Sequence, residues 1–157
     1  MTALQTVARH EFWYPSASGD HSVYRVALGD LIPSFQRKTF PLPKDHNSAE
    51  FNNQSGSIGF MDLRVREEFI PKKGARVGDY RNYEQREVLV LSEIGIEPRY
   101  RDGIHALMMY ERAEEVAREW GLDTIVLDTV ENKALRRWLN NHLDFQFDDL
   151  MGIKRLE

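Results

Sequence analysis

The chain has 157 residues, 41% of them hydrophobic and 29% charged, with a formal net charge of -4 at pH 7 and no cysteine. That length and balance suit one domain with a single buried core, and the lack of cysteine excludes disulfides, thiolate metal sites and a cysteine nucleophile. The charge has the wrong sign for a protein that grips a phosphate backbone, so nucleic acid is not an expected partner.

The five histidines, His10, His21, His46, His105 and His142, show no HxxxH or comparable ligand spacing, so no metal site is expected. The opening MTALQTVARHEFWYP lacks a basic start followed by an apolar run. Nor does any stretch approach the roughly 18 apolar residues that a membrane span needs. A soluble, cytoplasmic protein with no membrane partner is the expectation.

In chain order, the segment from Leu4 to Tyr14 carries Val7, Phe12, Trp13 and Tyr14. The turn run from Pro15 to Asp20 ends it, and His21 to Leu28 reads as the returning strand of a hairpin. Asp30 to Phe35 is expected to hold a helical turn or two. Pro41, Pro43 and the polar run from Lys44 then make residues 36–57 a long loop. Ser57 to Ile70 is the next strand candidate, and residues 78–85 read as a polar connection.

From Arg86 the pattern changes. Residues 87–97 form a long strand candidate with Gly95 inside it, a residue that marks a bulge or a close backbone approach. Pro98 ends it. Between Gly103 and Trp120, Ile104, Leu107, Met108, Ala113, Val116, Ala117 and Trp120 keep helical spacing, and Gly121 sits at a C-cap position. Thr124 to Val130 is a β-branched strand, and Asn132 to Asn141 is a second helix with Leu135, Trp138 and Leu139 apolar. Two short strands, near residues 145–147 and 150–155, finish the chain.

A strand, a tight polar turn and a helix can hold a diphosphate, because the first N–H groups of a helix have no partner inside it and its dipole favours negative charge. Here the turn reads Pro98-Arg99-Tyr100-Arg101-Asp102-Gly103-Ile104-His105-Ala106. Gly103 admits close approach of a phosphate, and Arg99 and Arg101 can add charge-assisted bonds. Taken alone, the same turn also reads as an ordinary strand-to-helix connection.

The succession is more telling: Ile94-Gly95-Ile96-Glu97-Pro98-Arg99-Tyr100-Arg101, then Gly103-Ile104, an amphipathic helix, a short strand, Asn132 with Ala134 on a second helix, and Asp144-Phe145. Over roughly residues 86–155 it resembles the Gcn5-related N-acyltransferases (the Gcn5-related N-acetyltransferase superfamily). There, a central strand ends in Pro-x-Tyr-Arg, a pyrophosphate loop follows, and a later Asn-led helix ends in Gly-Phe. The sequence departs from that pattern. The loop is one residue short between Arg101 and Gly103, and His105 stands where a second small residue belongs unless Ala106 takes that place. Asp144 replaces glycine, and Trp138 and Leu139 occupy the neighbourhood of the family's thiolate-protonating tyrosine.

The resemblance implies an α/β fold with a mixed, largely antiparallel twisted sheet and a central β-α-β acyl-CoA-binding unit. Its crossover should be right-handed, with the strands near 88–97 and 124–130 parallel. It implies one acyltransferase-like domain over 1–157, in which 1–85, with the loop 36–57, forms the acceptor side and 86–157 the acyl-CoA side. The implied activity is transfer of an acetyl or short acyl group from acetyl-CoA or another acyl-CoA, with no metal, to a primary amine on a small molecule or a protein. A homodimer is an open assembly. The cofactor contacts fall on Ile94, Gly95, Ile96, Arg99, Arg101, Gly103, Ile104, His105, Ala106 and Asn132. Ile94 to Ile96 offer backbone to the pantetheine arm, and Asn132 bonds that arm or simply caps its helix. His105 either caps the phosphates or points to solvent.

Direct attack requires a neutral amine, although a free alkyl amine has a pKa near about 10, so a base must take its proton. Glu93 and Glu97 lie four residues apart on one strand face. Glu93, deeper in the strand, is the expected catalytic base, and a solvent-side carboxylate is its plain alternative. Two other functions stay open: an acyl-CoA-binding or interaction module of this fold without turnover, and an acyltransferase that uses acyl carrier protein as donor.

Overall fold

A computed structural model describes residues 9–16, 18–29, 57–96 and 103–156. The expected helical turn at residues 30–35 and nearly all of the loop 36–57 lie outside them. The elements are β1 (Arg9–Pro15), β2 (Ser22–Gly29), β3 (Ser57–Pro71), β4 (Tyr83–Ile96), α1 (Ile104–Glu119), β5 (Thr124–Leu127), α2 (Lys133–Leu143), β6 (Gln146–Asp148) and β7 (Met151–Arg155). The strands make a seven-stranded mixed sheet in the order β1-β2-β3-β4-β5-β7-β6. β4 and β5 pair parallel, as expected from the helix between them, with Val90 opposite Val126. β1 with β2, β2 with β3, β5 with β7 and β6 with β7 pair antiparallel. The chain clusters into two compact units, Met1–Arg64 with Glu93–Arg112, and Val65–Ser92 with Ala113–Glu157.

In the first unit the β1–β2 hairpin closes through Ser16 N–H to His21 O at 2.8 Å, with Asp20 accepting from Ser18 at 2.5 Å. β2 lies between β1 and β3, so from Arg25 to Gly29 every residue is buried. Val26, Ala27, Phe60, Met61 and Leu63 form the core there.

A carboxylate ties α1 to this sheet. Glu11 accepts from Tyr24 Oη at 2.6 Å and from Arg112 Nε and Nη2 at 2.7 Å each, and it forms an ion pair with Arg9 Nε at 3.0 Å. Burial pushes its carboxyl up, but the hydrogen bonds from Arg112 and Tyr24 and the charges of Arg112 and Arg9 outweigh that and hold it below the usual glutamate range. The stability this supplies is full above the unfolded-state pKa, near about 4.3, and is lost as pH falls through the lowered folded value. Glu11→Ala is expected to cost about 2–3 kcal/mol at neutral pH, since its charged hydrogen bonds to Arg112 are lost. In urea melts against pH, the gap to wild type should close on acidification.

In the second unit Ile70, Val88, Val90, Val126 and Ile153 make one cluster with Met151 against it. β4 starts at Tyr83, within residues read as a polar connection. Tyr83 is buried and Glu84 to Glu87 alternate half-buried and exposed, so the polar run is a half-buried strand. β5 stops at Leu127, short of the expected Val130. Arg66 takes Asp128 bidentately at 2.5 and 3.1 Å, and Val130 N–H bonds Leu150 O, which turns the chain out of the ladder. α2 runs to Leu143 with Leu139 and Leu143 buried, whereas Leu135, expected in the apolar face, is 39% exposed.

The first half of α1 departs in phase from the expected stripe. Ile104 and Leu107 are exposed, at 48% and 38%, while His105, Met109, Tyr110, Ala113, Val116 and Ala117 are buried. Apolar residues occur on both candidate stripes, and packing selected the one through 105, 109 and 113. Among the described residues, no helix is long and apolar enough to cross a membrane.

Candidate active site

The end of β4 and the start of α1 belong to the first unit. Glu93, Ile94, Gly95 and Ile96 are all half-buried at that strand end. A Cβ at Gly95 would stand 2.5 Å from Cε1 of Phe60 and 3.2 Å from Cδ1 and Cζ, so any side chain there displaces the ring or the strand. The glycine therefore answers to a close approach, one of the two reasons expected for it. The connection that follows, with Arg99 and Arg101, lies outside the described residues.

Gly103 opens α1. Its carbonyl accepts Leu107 N–H at 3.0 Å, which makes it the N-cap, and its φ of +87° belongs to the left-handed region. Any other L residue there carries strain of roughly 1–2 kcal/mol. Among the described residues, no atom beyond its chain neighbours lies within 4 Å of the position a Cβ would occupy. Ile104 is exposed, Ala106 half-buried and His105 only 8% exposed. The solvent-facing alternative for His105 is thus corrected: its place in the buried stripe with Met109 and Ala113 turns the imidazole inward.

Asn132 is in the second unit and exposed. It caps α2, accepting Leu135 N–H on Oδ1 at 2.9 Å with its own backbone extended. At the other end Asp144 is left-handed, φ 62°, which explains a glycine at the corresponding point of the family pattern. Asn132→Ala should lower stability by about 1 kcal/mol, while Asn132→Ser, which keeps a capping oxygen, should restore most of it in thermal melts.

A buried polar cluster in the first unit went unnoticed in the sequence. Arg25 and Asp62 are directly opposed in the β2–β3 register and are both 0% exposed. Arg25 Nε and Nη2 donate to the two Asp62 oxygens at 2.8 and 3.1 Å, and Tyr14 Oη donates to Asp62 Oδ2 at 2.7 Å. Burial and the Asp62 charge push the Tyr14 phenol well above its usual range. The guanidinium stacks on Phe60 with Cζ 4.2 Å from the ring centroid. The available signal was a single charge inside each of two apolar runs, Val23 to Leu28 and Ile58 to Leu63, of opposite sign. Among the described residues, no group of three or more His, Cys, Asp and Glu could hold a metal ion.

No family model matches the chain, and no curated protein matches it in sequence. Among solved structures it is similar to AtaT complexed with acetyl-methionyl-tRNAfMet, with a TM-score of 0.53 at 11% identity over 85% of this chain and 71% of that one. It also aligns with Arabidopsis thaliana NAA60 in complex with a bisubstrate analogue, at TM-score 0.48 and 12% identity over 88% and 78% of the two chains. A third is the aminoglycoside N-acetyltransferase AAC(6')-Iy in complex with CoA, at 0.45 and 14% over 80% and 70%.

Proposed function

We propose that this chain, which has the fold of the Gcn5-related N-acetyltransferases, moves an acetyl or short acyl group from an acyl-CoA to a primary amine. The observation that carries the proposal is Gly103. A left-handed glycine, with no described atom beyond its chain neighbours within 4 Å of its Cβ position, caps the helix that follows the central strand, within a fold shared with AtaT, solved in complex with acetyl-methionyl-tRNAfMet. A helix start of that kind suits a diphosphate. Gly103, Ile104, His105 and Ala106 would hold it by backbone, with Arg99 and Arg101 adding charge.

In this reading the pantetheine arm runs along the backbone of Ile94, Gly95 and Ile96. The amine nitrogen attacks the thioester carbonyl, the C–N bond forms and the C–S bond breaks. Glu93 accepts the amine proton, directly or through one water, and the leaving thiolate takes a proton from solvent, to which Glu93 then releases its own. Holding both reactants in attack geometry supplies much of the acceleration, and the base supplies the neutral nucleophile. The acceptor is a primary amine of a small molecule or a protein.

Isothermal titration with acetyl-CoA and with CoA, followed by a screen of primary amines for thiol release, tests the proposal. Micromolar binding and amine-dependent thiol release are expected. Binding without turnover across a broad panel would leave a binding module, and no binding with a preference for acylated carrier protein would move the donor class.

A further inference from the structure

We propose that Arg25, Asp62 and Tyr14, acting through Phe60, are positioning residues for the Gly95 end of β4, the stretch to which the acyl-CoA arm is assigned above; their role in acyl transfer rests on that reading.

The four side chains form an unbroken line of contact from β1 to β4 within the first unit. Tyr14 comes from β1, Arg25 from β2, and Phe60 and Asp62 from β3, two residues apart and so on one face. In the β2–β3 register Arg25 stands opposite Asp62, and Phe60 opposite the small Ala27, which leaves room for the guanidinium to lie over the ring. Arg25 is held by both oxygens of Asp62, and its Nη2 lies 3.3 Å from Tyr14 Oη. Phe60 also fills the volume that a Cβ on Gly95 would need. The ring thus touches both a fixed planar cation and a strand backbone with no side chain at that point. Beside the β3–β4 hydrogen bonds of the sheet, the stack fixes where that backbone lies.

Stability alone gives little reason to keep such a group. Replacing a buried ion pair with apolar residues of similar volume is often neutral or stabilising, because the pair repays little beyond its own desolvation. A planar, bidentate arginine has a geometric use that lysine cannot match: it presents a flat face of fixed orientation to Phe60. A strand whose backbone must meet a ligand is sensitive to shifts of about 1 Å, enough to cost on the order of 100-fold in rate.

The test pairs the double variant Arg25→Met/Asp62→Leu with Phe60→Leu, which keeps the ion pair but removes the ring. Unfolding midpoint, acetyl-CoA affinity by titration, and amide hydrogen exchange at Ile94, Gly95 and Ile96 are read on each. Expected for the double variant is an unfolding midpoint held or raised, acetyl-CoA affinity weakened about tenfold, and exchange at those three amides accelerated about tenfold. Phe60→Leu should repeat the last two effects, and it keeps the test decisive if the double variant fails to fold. Wild-type affinity and wild-type exchange in a folded variant would overturn the inference and leave the cluster as packing. If the wild-type protein binds no acetyl-CoA, the proposed function fails while the exchange measurement still decides the positioning role.

Discussion

Glu93→Gln is expected to lower kcat for amine acylation by about 100- to 10,000-fold, the range a positioned general base supplies. The amide keeps the shape and cannot accept the proton, so acetyl-CoA affinity should stay within about twofold if the side chain serves only the base role. The wild-type rate should fall on the acidic side, where the carboxylate is protonated, and the variant should lose that limb of the profile. The half-buried site at the β4 end is compatible with a carboxylate that reaches both water and a reacting amine. A variant that retains kcat within about threefold would remove Glu93 from the chemistry and leave the base to be found elsewhere.

The second large effect concerns the donor. Gly103→Asp is expected to weaken acetyl-CoA binding at least about 100-fold, because a carboxylate about 4 Å from a phosphate charge repels it by about 4 kcal/mol at an effective dielectric near 20. That substitution alone is ambiguous, since the φ of +87° strains any side chain. Gly103→Ala carries the same strain, of roughly 1–2 kcal/mol, without the charge. Stability should fall similarly in both, and affinity should collapse only in the aspartate. Equal loss in the two would mean that no diphosphate meets this helix start, and unchanged affinity in both would place the donor elsewhere.

The line between what was legible in the sequence and what was not follows the range of the interactions. The β1–β2 hairpin, the capped start of α2 at Asn132 and the parallel β4–β5 pair across α1 depend on turn chemistry, capping or a short crossover, and they stand where the residues suggested. The start of β4 at Tyr83 was hidden because a half-buried strand can be as polar as a loop when its alternation is ignored. Gly95 was legible as a special position, but the reason for it, the ring of Phe60, belongs to another strand.

By itself, the sequence determined the order of the described elements and the strand and helix that flank the proposed donor site, because propensity, capping and periodicity act within a few residues. Tertiary structure decided which stripe of α1 is buried, since Ile104 and Leu107 compete with His105, Met109 and Tyr110 for one sheet face and only packing can choose. It also decided that Arg25 meets Asp62, a pairing 37 residues apart in the chain that exists only once the β2–β3 register is set. Electrostatics between distant residues is a property of that register, and no local pattern encodes it.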